Sequence, residues 1–186
     1  KSKKVFLERE IGIGPRKGKK FTVECDTTYV STLEFESNSL IQMTLSFDVK
    51  DHKRNHIELY GDKGSIIVPD PNMFGGSVYT CLELSGEWTE HKTQNLELGK
   101  INIKNQSSRA NESPTNANYR GAGLSEMAYS IENKNRHMCN GELSLHVLDI
   151  IQSIMRSAKT QKTELLSTEC IIPELFTQDK IKKILK

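Results

Sequence analysis

From Phe21 to Val49 apolar and polar positions alternate along the chain. Phe21, Val23, Cys25, Tyr29, Leu33 and Phe35 share one parity with Ile41, Met43, Leu45, Phe47 and Val49. Thr22, Glu24, Asp26, Thr28, Thr32 and Glu34, then Gln42, Thr44, Ser46 and Asp48, occupy the other. A period of two belongs to strands with one buried and one wet face. Two long strands are therefore expected, their odd-numbered apolar residues packing under helices and Thr22, Glu24, Thr44 and Ser46 lining the open face. The turn between them falls on Glu36–Ser39, where Asn38 tolerates left-handed backbone.

Further hairpins follow. Ile57–Val68 reads strand, Gly-Asp-Lys-Gly turn, strand. Pro69 and Pro71 then remove ladder donors, so Pro69–Gly76 is irregular. "VYTCLEL" and "EWTEHK" flank a Ser85–Gly86 turn, with Trp88 expected to anchor packing. Thr93–Asn116, rich in Asn, Ser, Lys and Gln, has no sustained periodicity and reads as a loop.

The period then changes. Leu124, Met127, Ala128 and Ile131 recur at helical spacing, as do Leu143, Val147, Ile150, Ile154 and Ala158, with Ile151 widening the stripe. The second of these helices starts after Asn140, a good N-cap, with Glu142 in its first turn where a carboxylate favours the dipole. "KTELL" after it is expected to return as a short strand, and "TQDKIKKILK" to close the chain as a tail or short helix. Strands followed by helices predict an α+β fold, a large and predominantly antiparallel sheet with helices packed on one face and the other face open. The boundaries expected are a basic segment and loop over residues 1–20, the sheet domain over 21–175, and a basic tail or short helix over 176–186.

Composition narrows the function. A chain of 186 residues can bury a sizeable core, and its mean hydropathy of −0.54 implies a large polar surface. No apolar run reaches the length of about 20 residues needed to cross a bilayer, and no signal-peptide pattern opens the chain, so a cytoplasmic location and no membrane partner are expected. A net charge of +2 gives no general field for nucleic acid, and the lysine runs at both ends read as solvated. Cys25, Cys81, Cys139 and Cys170 lie far apart with no framework spacing and are expected to be reduced, structurally idle thiols. The chain has no initiator methionine, which fits a piece of a longer protein.

Candidate chemistry is sparse. "IGIGPRKGKK", Ile11–Lys20, has three glycines and a run of cations, but Gly18-Lys19 is followed by Lys20 where a phosphate loop needs Ser or Thr. Gly12 and Gly14 lead to Lys17 where the dinucleotide pattern needs a third glycine. Glu142 and His146 share a helix face without a second histidine one turn back. His137 and Cys139 have no third ligand close by in sequence. No metal site and no catalytic residue is expected in this chain.

Asn118–Ala158, "NYRGAGLSEMAYSIENKNRHMCNGELSLHVLDIIQSIMRSA", resembles the C-terminal domain of the glucose–fructose oxidoreductase / inositol dehydrogenase / MocA family. There an Arg-Gly-x-Gly opening leads to a helix, a short loop and a Gly-Glu-Leu-x-x-His-Val-Leu-type helix. "GPRKGKKFTVECDTTYVSTLEF", "LSFDV", "IELYGDKGSIIVPDPNMFGG" and "ECIIPEL" follow in family order, so the resemblance spans Gly14–Leu175. It implies the substrate-binding and oligomerisation domain of an NAD(P)-dependent sugar or polyol oxidoreductase, with the Rossmann domain and catalytic lysine upstream. This chain by itself is then expected to be inactive and to bind no cofactor, NAD or NADP belonging to the full-length enzyme, and to form a homo-oligomer through the sheet. The alternative is a non-catalytic binding or scaffold module derived from that family. Asn118, Tyr119 and Arg120, on a polar loop leading into a helix, are the expected substrate-binding groups, because amide, phenol and guanidinium suit a hydroxyl-rich ligand.

Overall fold

A computed structural model describes residues 1–82, 86–103 and 116–185. The fold is α+β, with antiparallel ladders and three α-helices among the described residues. The chain divides into two compact units, one made of Lys1–His52 and Gly141–Ile171, the other of Lys53–Asn140 and Ile172–Lys186.

In the first unit, β1 (Ser2–Lys3), β4 (Thr28–Glu34) and β5 (Leu40–Ser46) form one sheet in the order β1-β4-β5, while β2 (Glu8–Glu10) and β3 (Lys20–Thr22) form a separate hairpin. The alternation from Phe21 onward is thus interrupted, because the chain leaves β3 before it enters β4. Between them the Ser2 hydroxyl donates to Asp26, and Thr27 N–H donates to Lys3 C=O at 3.1 Å, tying this stretch to β1. The expected turn stands: Asn38 has φ 63°, and its N–H donates to Phe35 C=O.

Register follows the predicted parity, with Tyr29 opposite Leu45, Ser31 opposite Met43 and Leu33 opposite Ile41. Burial does not follow it through. Tyr29, Leu33 and Met43 are half-buried, but Leu45 is 54% and Phe47 82% exposed, so these two do not pack under a helix as expected. Parity fixes which side chains share a face; whether a face is covered depends on what packs over it.

Helix α2 (Gly141–Thr160) begins directly after Asn140 and packs against β1, with Ala158 and Ser153 buried while Val147 and Ile151 stay about half exposed. "KTELL" is not a strand. The segment after α2 is instead bound back to that helix: Ser157 Oγ donates to Lys162 C=O at 2.6 Å, and Arg156 meets Glu164 at 3.4 Å. These side-chain bonds to the helix replace a ladder.

In the second unit, β6 (Ile57–Gly61), β7 (Gly64–Val68), β8 (Ser77–Leu82) and β9 (Thr89–Lys92) make a four-stranded antiparallel meander. Gly61 and Gly64 close the β6–β7 hairpin. Gly64 has φ +140°, and a Cβ there would stand 2.2 Å from Cys81 O on the neighbouring strand, so only glycine fits. The β8–β9 pairing is as expected; Ser85 of its turn lies outside the described residues, and Trp88 is 47% exposed and so is no core anchor. Residues 104–115 of the expected Thr93–Asn116 loop also lie outside them, and the described part contains a 3₁₀ turn at Glu97–Gly99.

Helix α1 (Ala122–Glu132) forms where predicted, but its apolar stripe does not face inward: Leu124 is 75% and Ile131 65% exposed. Its buried residues are Glu126 and Ser130. Helix α3 (Gln178–Ile184) realises the expected terminal helix, capped by the Thr177 side chain, which accepts from Lys180 N–H. It buries Ile181 and Ile184 and packs against α1 and the 3₁₀ turn, where Gln178 Oε1 accepts the Glu97 N–H at 2.7 Å.

Candidate functional site

Asn118, Tyr119 and Arg120 sit in the second unit immediately before α1, held by residues of two segments, 100–102 and 72–74. Asn102 grips the Asn118 backbone at two points, accepting its N–H through Oδ1 and donating from Nδ2 to its C=O, both at 2.7 Å. Asn118 Oδ1 in turn accepts the Arg120 N–H at 3.2 Å, an Asx-type turn that leads the chain into the helix. A bidentate amide of this kind fixes backbone position, so the side chains of the following residues leave the loop in set directions.

The Tyr119 hydroxyl donates to Lys100 C=O at 2.9 Å, and its ring meets Phe74 edge-on at 5.7 Å. Phenol and ring are therefore both engaged in scaffolding. Arg120 differs. Its Nη1 donates to Asn72 Oδ1 at 3.2 Å and its Nη2 to Asn72 C=O at 3.1 Å, with no carboxylate paired to it among the described residues. Both contacts are neutral, so the guanidinium keeps an uncompensated charge and spare N–H donors on an exposed side chain.

Asn72 is itself fixed by the irregular 69–76 segment. Asp70 Oδ1 accepts the Asn72 N–H at 2.9 Å and Asp70 pairs with His56 at 3.7 Å, while Thr93 Oγ1 donates to Gly76 C=O at 2.6 Å. Behind the loop, the buried Glu126 accepts from the Ser130 hydroxyl at 2.8 Å and from Met138 N–H at 3.1 Å. This explains the rotation of α1: a carboxylate with two donors is a satisfied buried group, and it ties the helix to the 133–140 loop. No sequence pattern points to Asn72, Asn102 or Glu126. Asn72 and Asn102 lie 48 and 16 residues from their partners, beyond the reach of any local pattern.

The other sequence candidates fall elsewhere. His146 belongs to the first unit, where its Nδ1 lies 3.0 Å from Thr168 Oγ1. His137 has no hydrogen bond to its buried Nδ1 among the described residues. Among the described residues no three His, Cys, Asp or Glu side chains gather as a metal set.

The glycine-rich segment Ile11–Lys20 connects β2 to β3. Glu10 pairs with Lys20, Ile11 N–H donates to Lys19 C=O, and Gly18 N–H returns to Ile11 C=O, both at 2.9 Å. Gly14 and Gly18 each take φ 85° to make the loop. Strand, loop, strand offers no helix N-terminus to a pyrophosphate, so these residues do not fit a dinucleotide.

Fold and site define an antiparallel α+β domain that offers a charged donor on a braced loop. In comparison with protein families, residues 7–165 match the oxidoreductase family's C-terminal alpha/beta domain, and the chain belongs to that family. Neither the curated proteins nor the solved structures compared with it gave a match. No described helix is long and apolar enough to cross a membrane.

Proposed function

We propose that this chain is the substrate-facing and oligomer-forming domain of a cytoplasmic NAD(P)-dependent oxidoreductase of sugars or polyols, inactive without an upstream dinucleotide-binding domain. Membership of the oxidoreductase family supports the setting. In such an enzyme a hydride passes between the nicotinamide and a carbinol carbon. The part assigned to this chain is to hold the substrate's other hydroxyls: Arg120 donates to them, while Asn118 and Tyr119 keep the loop in place and border the substrate. Self-association through the sheet is supported by β5, an edge strand with Leu40, Ile41 and Leu45 exposed.

The observation that carries this reading is the Arg120 guanidinium, braced by Asn72 and uncompensated by any carboxylate among the described residues. The test places the chain behind its dinucleotide-binding domain and compares Arg120→Ala with the parent for kcat/KM and melting temperature. A loss of about tenfold or more in kcat/KM at unchanged melting temperature is expected, the scale of one charge-assisted hydrogen bond. Normal kinetics with a lowered melting temperature would make Arg120 a scaffold residue and refute the assignment.

A further inference from the structure

The first unit contains a cleft of about 440 Å³ that the reading above does not use, lined by Ser2, Asp26 and Tyr29 on the strand side and by Met155, Arg156, Ala158 and Lys159 of α2. Its size is within the range of small-molecule sites. The polar groups on its walls differ in how far they are already spent. Arg156 is compensated: Nη2 donates to Ser153 Oγ at 2.6 Å, and carboxylates of Glu164 and Asp149 stand 3.4 and 3.7 Å from its guanidinium. Lys159, in the last turn of α2, has no ion pair or hydrogen bond among the described residues. The Tyr29 hydroxyl likewise has no partner there. Burial, then the charges of Asp26 and Cys25, push the Tyr29 phenol above its ordinary value, so it remains a donor at neutral pH. Asp26 uses one carboxylate oxygen to accept from Ser2 and leaves the other open.

A free ammonium and a phenolic donor call for an anionic acceptor. An open carboxylate oxygen calls for a donor. Met155 and the buried Ala158 supply apolar wall between them. We propose that this cleft binds a small organic acid carrying a hydroxyl beside its carboxylate and an apolar tail. The carboxylate meets Lys159 and Tyr29, the hydroxyl donates to Asp26, and the tail lies on Met155 and Ala158. All of these groups belong to the first unit, whereas Asn118–Arg120 belong to the second, so the site stands or falls independently of the proposed substrate loop.

The probe is 2-hydroxy-4-methylpentanoate, titrated into the chain carrying ¹³C-methyl methionine and followed by NMR at the Met155 methyl. A saturable shift at Met155 is expected. Lys159→Gln, an exposed position whose fold is checked by circular dichroism, weakens it by about tenfold or more, the effect of losing one charged hydrogen-bond partner. On the ligand side, 2-hydroxy-4-methylpentanamide, which lacks the charge, and 4-methylpentanoate, which lacks the hydroxyl, both bind severalfold more weakly to the unaltered chain. Absence of a saturable shift at Met155, or equal affinity in Lys159→Gln or for either analogue, would overturn the proposal.

Discussion

One carboxylate oxygen of Asp149, in α2, accepts both the backbone N–H and the hydroxyl of Thr168, each at 3.1 Å, across 19 residues of chain. The same oxygen accepts the N–H and hydroxyl of Ser167 at 2.7 and 3.0 Å. With its proton given to Asp149, Thr168 Oγ1 is left to accept from His146 Nδ1–H. Asp149 and His146, about one helix turn apart, thus bind Ser167 and Thr168 of the segment after α2 to the helix.

Acid stability tests this clamp. The Ser167 N–H above all, with both hydroxyls and the Thr168 N–H, holds Asp149 at about 2 against an ordinary 3.8. A depressed carboxylate stabilises the fold above its unfolded value and ceases to do so as pH falls through its folded value. Asp149→Asn should therefore lower stability at neutral pH and flatten the acid limb between those two values in a urea-denaturation series. An unchanged limb would mean that the clamp is not maintained in solution.

Gly64→Ala should destabilise the second unit by about 1–3 kcal/mol, the usual cost of forcing a side chain into strained backbone. The position combines φ +140° with backbone of the neighbouring strand 2.2 Å from the added carbon. Gly12→Ala, with open space around it and no positive φ, is the control and should be close to neutral in the same thermal melt.

Exposure separates two apolar residues that sequence alone would rank together. Ile181→Ala, at a site 7% exposed, should cost about 2–5 kcal/mol, as for a core residue. Leu45→Ala, at a site 54% exposed, should cost under about 1 kcal/mol in the monomer. Denaturant midpoints on both variants decide it, and a Leu45 cost in the core range would show that β5 is covered in solution.

Tyr119→Phe keeps the ring contact with Phe74 and removes only the hydrogen bond to Lys100 C=O. A loss of about 1 kcal/mol is expected, with faster amide exchange at the start of α1. No change in either would show that the phenol is not part of the scaffold.

Titration calorimetry of this chain with NAD and with NADP should give no saturable heat, because the Ile11–Lys20 loop joins two strands instead of opening a helix. Saturable micromolar binding would refute both this reading of the loop and the assignment of the cofactor to an upstream domain.

The hairpins, helices and parity were legible in the sequence because they depend on neighbours a few residues apart. Asn38 set its turn, Gly61 and Gly64 bracketed theirs, and the spacing of Leu143, Ile150 and Ile154 marked α2. The motif over Asn118–Ala158 pointed to the family by the same local means. Burial was not local. Phe47 and Leu45 share the parity of half-buried Tyr29 yet stand exposed, and α1 turns Glu126 inward in place of Leu124. Such choices depend on which distant donors reach a side chain, as Met138 N–H reaches Glu126 and Ser167 N–H reaches Asp149. The candidate site divides along the same line. The sequence by itself placed Asn118, Tyr119 and Arg120 on a polar loop at a helix start, but only the tertiary structure gave Asn118 and Tyr119 to the scaffold and left Arg120 a spare charge. Asn72, Asn102 and Lys100 reach that loop from remote parts of the chain, and no period or motif records which of its groups they satisfy.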